Sequence, residues 1–196
     1  YIRYPGPQYS HDSWTLEAFE EAKFDTPGLI WGNFQRQLLS DLVGDAYDAI
    51  VAAAPAVKVT SAVWGIYKDD FEWGGTSQGY YDYYQDSHAW VDNGSMDAIC
   101  PMIYWPLTDP KGGWTDFATL ADLHLAGAGT RHVYLGMKSD QPAFEEIEAE
   151  INYVRQLPAP GFVMFAYSTV LSKGYGPLLK QTVLASPAPL PAMPWK

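Results

Sequence analysis

The chain has 196 residues, and 47% of them are hydrophobic, which is enough to bury the core of one domain. Its formal net charge is -11, with 12 Lys and Arg residues and no basic run, so the composition argues against nucleic acid as a partner. No apolar segment reaches the roughly 20 residues of a membrane helix, and the first residues lack the pattern of a secretory signal. We therefore predict no transmembrane segment.

Cysteine and histidine usage bears on metals and disulfides. The single cysteine, Cys100, lies within an apolar run, so we predict neither a disulfide framework nor a cysteine-based metal cluster. The four histidines, His11, His88, His124 and His132, show no spacing typical of metal ligands. No glycine-rich phosphate-binding motif follows a predicted strand. The sequence therefore predicts neither a metal ion nor another cofactor.

The first half of the chain alternates helical and extended patterns. Residues 1–7 resemble the end of a strand, because Pro5 and Pro7 stop its continuation. Leucine and other apolar side chains recur at helical spacing between residues 31 and 53, which predicts an amphipathic helix. The other predicted elements here are a short helix at 16–22, a strand at 57–66, a loop at 67–77 and a helix at 78–91.

The second half continues this alternation. Residues 96–106 form an apolar run between turn signals, which is typical of a strand buried on both faces. Asp140 precedes Pro142 and is predicted as the N-cap of the helix that follows. The remaining predictions are a helix at 116–125, a strand at 132–137, a strand at 162–167 and a helix at 176–184.

The order of these elements predicts an α/β fold with a parallel sheet and right-handed crossovers. The helix-to-strand links are short, whereas two strand-to-helix links run to about ten residues, so function is expected on the side of the long loops.

Five strands at most cannot close an eight-stranded barrel. Either the sheet is open, or the chain is roughly the second half of a (β/α)8 TIM-barrel-like fold, from the end of strand 4 to helix 8. We favour the half-barrel because the chain opens within an element at Tyr1. The predicted half-barrel covers residues 1–185, and residues 186–196 are predicted as a Pro/Ala-rich tail or linker.

Several segments in the same order resemble the glycosyl hydrolase-like 10 family, a bacterial group of (β/α)8 proteins. The resemblance extends from Tyr1 to about Leu184. The segments that carry it are Tyr1-Ile2-Arg3-Tyr4-Pro5; residues 31–63 with Trp31 and Arg36; Tyr84-Gln85-Asp86 with Trp90 and Gly94; Asp97 with Pro101-Met102-Ile103-Tyr104-Trp105; Tyr134-Leu135-Gly136; and Phe165-Ala166-Tyr167-Ser168.

The resemblance implies a glycoside hydrolase that acts on bacterial or polysaccharide glycan, including peptidoglycan-like strands, by carboxylate acid/base chemistry. It also implies a secreted or cell-envelope location, a carbohydrate substrate and, as a partner, the N-terminal half of the barrel. In the family an aspartate of strand 4 would stand just before Tyr1 and is not in this sequence. The alternative is a non-catalytic carbohydrate-binding or scaffolding barrel.

Glycoside hydrolysis usually needs two carboxyl groups, about 5 to 5.5 Å apart for retention or roughly 6.5 to 9.5 Å apart for inversion. Asp86 is the first catalytic candidate because it belongs to the family-like Gln85-Asp86 pair, and Asp69 and Asp70 follow a strand directly. The structural alternatives are an acid in the first turn of a helix, stabilised by the helix dipole, for Asp86 and a solvated acidic loop for Asp69 and Asp70. Asp97 precedes its strand, so we predict a structural role for it.

Candidate substrate-binding residues lie near the carboxyl ends of the predicted strands. Aromatic rings there can stack on the C–H face of a sugar, while Tyr hydroxyls, Trp N–H groups and cations can bind its hydroxyls or an acidic group. The alternative for the aromatic residues is packing at the top of the barrel. The candidates are Arg3, Trp64, Tyr67, Gln85, Tyr104, Trp105, Lys138 and Tyr167.

Overall fold

The computed structural model describes residues 2–109 and 112–196, so Tyr1, from which the predicted strand end starts, lies outside the described residues. The described residues form four strands and eight helices. The strands are β1 (Thr60–Trp64), β2 (Ala98–Met102), β3 (His132–Lys138) and β4 (Gly161–Phe165). The helices are α1 (Ser13–Asp25), α2 (Trp31–Ala53), α3 (Gly79–Asp82), α4 (Ser87–Asp92), α5 (Phe117–Ala126), α6 (Phe144–Val154), α7 (Tyr167–Ser172) and α8 (Tyr175–Gln181).

The four strands form one parallel sheet in the order β1-β2-β3-β4. Helices connect successive strands, so the predicted α/β class with parallel strands is confirmed. Because all strands run the same way, their carboxyl ends meet at one edge of the sheet. This arrangement is compatible with part of a TIM-barrel-like fold. None of the helices in the described ranges combines the length and the hydropathy that crossing a bilayer requires.

Two predictions about helices were wrong: the continuity of one helix and the start of another. The helix predicted at 78–91 is divided into α3 and α4, because Tyr84 between them has φ 53°, which a right-handed helix does not allow. The N-cap of α6 is Ala143, not Asp140. Asp140 instead forms an ion pair with Lys173, with 2.9 Å between Oδ1 and Nζ.

The two faces of the sheet differ sharply in burial. Side chains alternate between the faces of a strand. Val63, Ile99 and Leu135 point to the helices and have at most 1% of their surface exposed. On the opposite face Val163 is 42% and Phe165 63% exposed. We call this second face the inner face; strand register and alternation place on it Trp64, Cys100, Met102, Tyr134, Lys138, Val163 and Phe165.

A buried carboxylate organises the amino-terminal edge of the sheet. The Asp97 side chain has no exposed surface. It accepts hydrogen bonds from the Val59 amide at 2.7 Å, the Tyr47 hydroxyl at 2.8 Å and Trp195 Nε1 at 2.9 Å. Burial alone would raise the pKa of Asp97, but the hydrogen bonds from Val59 and Tyr47 outweigh it and the pKa is lowered.

The Asp97 site also binds the end of the chain. Lys196 Nζ lies 3.1 Å from Asp97 Oδ2, and Met193 is buried. The last residues of the predicted tail therefore pack on the edge of the sheet that lies opposite the long loops. Asp97 has the structural role that its position before the strand predicts.

A second buried acid lies on α6. Glu150 is fully buried, and its Oε1 accepts a hydrogen bond of 2.6 Å from Gln141 Nε2. Burial, together with the neighbouring Glu146 carboxylate, raises the pKa of Glu150 to about 8. A raised pKa means that folding favours the protonated acid. Its stabilising contribution is complete below the unfolded pKa of 4.5 and is lost as the pH rises through about 8.

Glu150→Gln tests this assignment. The amide keeps the acceptor for Gln141 but carries no charge, so we expect the variant to be more stable than the parent near pH 9 and close to the parent near pH 5. Urea unfolding at the two pH values measures the difference. Glu145→Gln, at an exposed position of the same helix, is the matched control and should show no such gain. An equal effect of Glu150→Gln at both pH values would contradict the assignment.

Candidate functional site

A cavity lined by aromatic residues opens on the inner face at the carboxyl edge of the sheet. Its volume is about 270 Å³, and we call it the inner cavity. Its lining consists of Trp64, Gly65, Met102, Tyr104 and Trp105. Trp64 and Met102 are the last residues of β1 and β2, and the other three residues follow these strands within three positions. The parallel register of β1 and β2 therefore brings the set together.

Gly65 allows the close approach that forms this cavity. A Cβ atom at position 65 would lie 2.3 Å from the Met102 carbonyl oxygen and 3.0 Å from the Trp105 ring. Any side chain here would push the ends of β1 and β2 apart. The glycine therefore sets the distance between the two walls of the inner cavity.

Trp64 is fixed by its polar groups. Its backbone N–H donates to Gln85 Oε1 and its Nε1–H donates to the Ser77 carbonyl, both at 2.6 Å. One side of the indole contacts the Tyr83 ring, with centroids 4.4 Å apart. The ring thus holds one orientation at the cavity wall.

Gln85 is a positioning residue at this edge. It has 1% of its surface exposed, and its Nε2 donates to the Ile2 carbonyl at 2.6 Å. Gln85 therefore joins the end of β1 to the N-terminal segment. The Arg3 guanidinium in that segment lies 4.4 Å from the Tyr83 centroid and 5.4 Å from the Trp64 centroid. The structure brings Arg3, Trp64 and Gln85 together at one corner of the inner face.

More aromatic surface lies at the ends of β3 and β4. The rings of Tyr104 and Phe165 are nearly parallel, with centroids 6.0 Å apart and an interplanar angle of 17°. Lys138 pairs in register with Phe165, and Tyr167 is 73% exposed. Phe165 was missed as a site residue, although its alternation with Val163 in the last strand could have placed it on the same face.

Asp86 and Tyr67 do not line the inner cavity. The Tyr67 hydroxyl donates to Asp86 Oδ1 at 2.6 Å, and the same oxygen caps α4 through the Ala89 amide at 3.4 Å. Burial and the adjacent Asp86 carboxylate raise the pKa of Tyr67 above its ordinary value. Both residues line a cavity of about 450 Å³ at α4 and α5, which shares none of its described lining residues with the inner cavity. We call this larger cavity the outer cleft. The structure does not bring Asp86 into one cavity with Trp105.

Asp69 and Asp70 occupy the loop after β1. Asp69 accepts hydrogen bonds from the amides of Trp73 at 3.1 Å and Gly74 at 3.0 Å, and from the Thr76 hydroxyl at 3.2 Å. Desolvation opposes ionisation of Asp69, but the hydrogen bonds from Trp73 and Gly74 prevail, so its pKa is lowered. Asp70 is exposed. Asp69 therefore orders its own loop, and the catalytic roles of Asp69, Asp70 and Asp86 stay predictions.

The inner face of the described strands carries no acidic residue. Its charged strand residue is Lys138, and its other strand positions are apolar, aromatic, glycine or uncharged polar residues. No group of three or more His, Cys, Asp or Glu side chains in the described ranges is arranged to hold a metal ion. What the inner face offers is a set of ring surfaces with a cation at its edge, which suits binding of a flat, partly apolar ligand.

The chain is similar in sequence to a curated glycosyl hydrolase. No family model matches the chain. The glycosyl hydrolase YngK of Bacillus subtilis (strain 168) is 28% identical over 183 residues, which cover 83% of this chain and 35% of that protein. The chain thus spans about a third of the length of this curated relative. The similarity supports a glycosyl hydrolase-like relationship.

Gln85→Leu tests the positioning role of Gln85. The substitution leaves the Trp64 N–H and the Ile2 carbonyl without their partner, so we expect the free energy of unfolding to fall by about 2 to 4 kcal/mol. Urea unfolding measures this loss. Gln37→Leu, which removes an exposed bond to Asp41, is the control and should cost less than about 1 kcal/mol. Equal losses in the two variants would contradict the role.

Proposed function

We propose that this chain forms the second half of a (β/α)8 barrel in a glycoside hydrolase, and that its inner cavity binds the saccharide. The observation that carries the proposal is the one-sided sheet, which has helices on one face and exposed apolar residues such as Val163 and Phe165 on the other. A closed barrel would cover that inner face, and barrel enzymes bind their substrates at the carboxyl edge of the strands. The relationship to a glycosyl hydrolase supports the same reading.

The lining of the inner cavity suits a sugar ring. Trp105 and Tyr104 offer flat apolar surfaces for the C–H face of a pyranose, and their N–H and O–H groups can bind its hydroxyls. Arg3 and Lys138 place positive charge at the rim. These cations would favour a glycan that carries acidic groups.

Hydrolysis itself needs a pair of carboxyl groups. Because the inner face of the described strands has no acidic residue, we propose that this pair comes from loops at the carboxyl edge or from the rest of a longer protein. A strand-4 aspartate, which resemblance to the glycosyl hydrolase-like 10 family would put before Tyr1, is one such group. Under this proposal the chain supplies the saccharide platform, and the other half of the barrel supplies at least one catalytic acid.

The proposed family, substrate and location rest on that family resemblance. We propose membership of the glycosyl hydrolase-like 10 family, a bacterial or polysaccharide glycan as substrate, peptidoglycan-like strands included, and a secreted or cell-envelope location. The second candidate function is a carbohydrate-binding or scaffolding barrel without catalysis. The absence of acids from the inner face of the described strands favours that alternative. Glycan turnover by the full-length protein distinguishes the two.

Trp105→Ala is the first test of saccharide binding. Removing the indole takes away one wall of the inner cavity, so we expect chitotetraose to bind at least about tenfold more weakly, a loss of about 1.4 kcal/mol. Titration calorimetry measures the affinity, and thermal unfolding shows whether the fold persists. Trp14→Ala, at an 84% exposed position of α1, should bind like the parent. Equal affinity in both variants would return Trp105 to a packing role.

Asp86→Asn tests the catalytic prediction separately. The Asn side chain keeps an oxygen that can accept from the Tyr67 hydroxyl and the Ala89 amide, so the fold should persist. If Asp86 is the acid/base group, hydrolysis by the full-length protein falls by about 100-fold or more. Release of reducing ends from a purified glycan measures the rate. Parental turnover would remove Asp86 from the catalytic candidates.

A further inference from the structure

The outer cleft is a polar cavity whose walls the proposed saccharide site of the inner face does not use. It lies between the loop after β1 and helices α4 and α5. A smaller cavity of about 220 Å³ adjoins it along α2, and the two share Tyr80 and Asp86 in their linings. The residues that line the outer cleft are Tyr67, Lys68, Tyr80, Asp86, His88, Ala89, Asp92, Ala126, Gly127 and Gly129.

Two histidines make one wall of the outer cleft rigid. His124 Nε2 lies 2.8 Å from the Gly65 carbonyl, so this nitrogen must donate. His124 Nδ1 then accepts from His88 Nε2 at 3.0 Å, which fixes the tautomers of both rings. The His88 ring stacks on Tyr67 with centroids 3.8 Å apart. Burial lowers the pKa of His88 to about 4 and that of His124 to about 3, so the wall is uncharged at neutral pH.

Gly127 completes this wall. A Cβ atom at position 127 would lie 2.1 Å from His88 Nδ1, so only glycine lets α5 end against the histidine ring. The wall that Tyr67, His88 and Gly127 form is therefore built by close packing and not by mobile surface side chains. His124, which is hydrogen-bonded to His88 of this wall, also donates to the Gly65 carbonyl just after β1, so the wall is connected to the end of that strand.

Polar groups with unused hydrogen-bonding capacity also line the outer cleft. The Lys68 ammonium lies 3.9 Å from the Tyr80 centroid and 5.0 Å from that of Tyr67, and it makes no hydrogen bond or ion pair to the described residues. Asp92, exposed at the end of α4, likewise has no such partner within the described ranges. Asp86 uses only Oδ1 in its bonds to Tyr67 and Ala89. The cleft thus holds a free cationic donor and free carboxylate acceptors.

The outer cleft carries charges of both signs. Lys68 is positive, Asp86 and Asp92 are negative, and Arg36 adds a positive charge in the adjoining cavity. Such a site offers hydrogen-bond donors and acceptors at different points. It suits a neutral ligand whose hydroxyl groups donate to carboxylates and also accept from an ammonium group. Its volume of about 450 Å³ lies within the usual range for small-ligand sites, roughly 300 to 1,000 Å³.

We propose that the outer cleft is a second saccharide-binding site, separate from the inner cavity, which takes a neutral, hydroxyl-rich sugar unit. The choice of a saccharide as ligand rests on the proposed function. Two sites that share no described lining residue would let the protein hold a long glycan at a second point while one segment of it occupies the inner cavity. The outer site adds affinity by raising the local concentration of the glycan.

Methyl NMR of the full-length protein, labelled at Ala and Met methyl groups, tests this proposal with chitotetraose as the probe. The Ala89 methyl reports on the outer cleft and the Met102 methyl on the inner cavity. In Ala126→Trp a large ring fills the cleft from an exposed helix end. We expect both methyl signals to shift in the parent, and Ala126→Trp to weaken the Ala89 response at least tenfold while leaving the Met102 response intact.

Ala49→Trp, at an exposed position of α2 that lines neither cavity, is the matched control and should behave like the parent. Lys68→Met, which keeps the apolar stem but loses the donors, should also weaken the Ala89 response. A Met102 shift without an Ala89 shift, or a response unaffected by Ala126→Trp, would overturn the second site and leave the proposed function standing. If neither the Ala89 nor the Met102 methyl signal shifted, saccharide binding in the outer cleft and in the inner cavity would both be contradicted.

Discussion

The constraint on which the structure depends is that helices cover only one face of a four-stranded parallel sheet. Strands buried on both faces read as nearly continuous apolar runs, and residues 96–106 have that pattern. In the folded chain, however, Ile99 of β2 is fully buried against the helices, while Cys100 and Met102 on its other face are only half-buried and Phe165 of β4 is 63% exposed. Apolar and aromatic residues on an open face need a partner or a ligand. The half-barrel proposal and the saccharide proposal both follow from that imbalance.

The two edges of the sheet are built from different interactions. At the amino-terminal edge, the buried Asp97 carboxylate joins β2 to the residue before β1, to α2 and to the end of the chain, and its pKa is lowered by those bonds. At the carboxyl edge, Gln85 and Gly65 bring rings and backbone close together without using any buried charge. This separation is the one expected of barrel enzymes, in which stability lies at one end of the strands and chemistry at the other.

The sequence predicted the sheet well because its signals are local. Periodicity marked α2, and alternation of helices and strands gave the parallel order. Side-chain direction was harder to predict. Asp86 lies at the carboxyl edge as expected, but a helix N-cap can face either the strands or the outer layer, and spacing does not distinguish these. Tyr84 at positive φ interrupts a pattern that otherwise continues as helix. Ala143 caps α6 without a side-chain bond, so no residue type marked that start.

An isotope-filtered NOE spectrum of the full-length protein with chitotetraose tests directly whether the inner face binds a saccharide. If the inner face is the saccharide platform, sugar C–H protons give NOEs to the ring protons of Tyr104 and Trp105, which line the inner cavity. NOEs confined to rings away from the inner face, such as the exposed Trp14 on α1, would contradict the account.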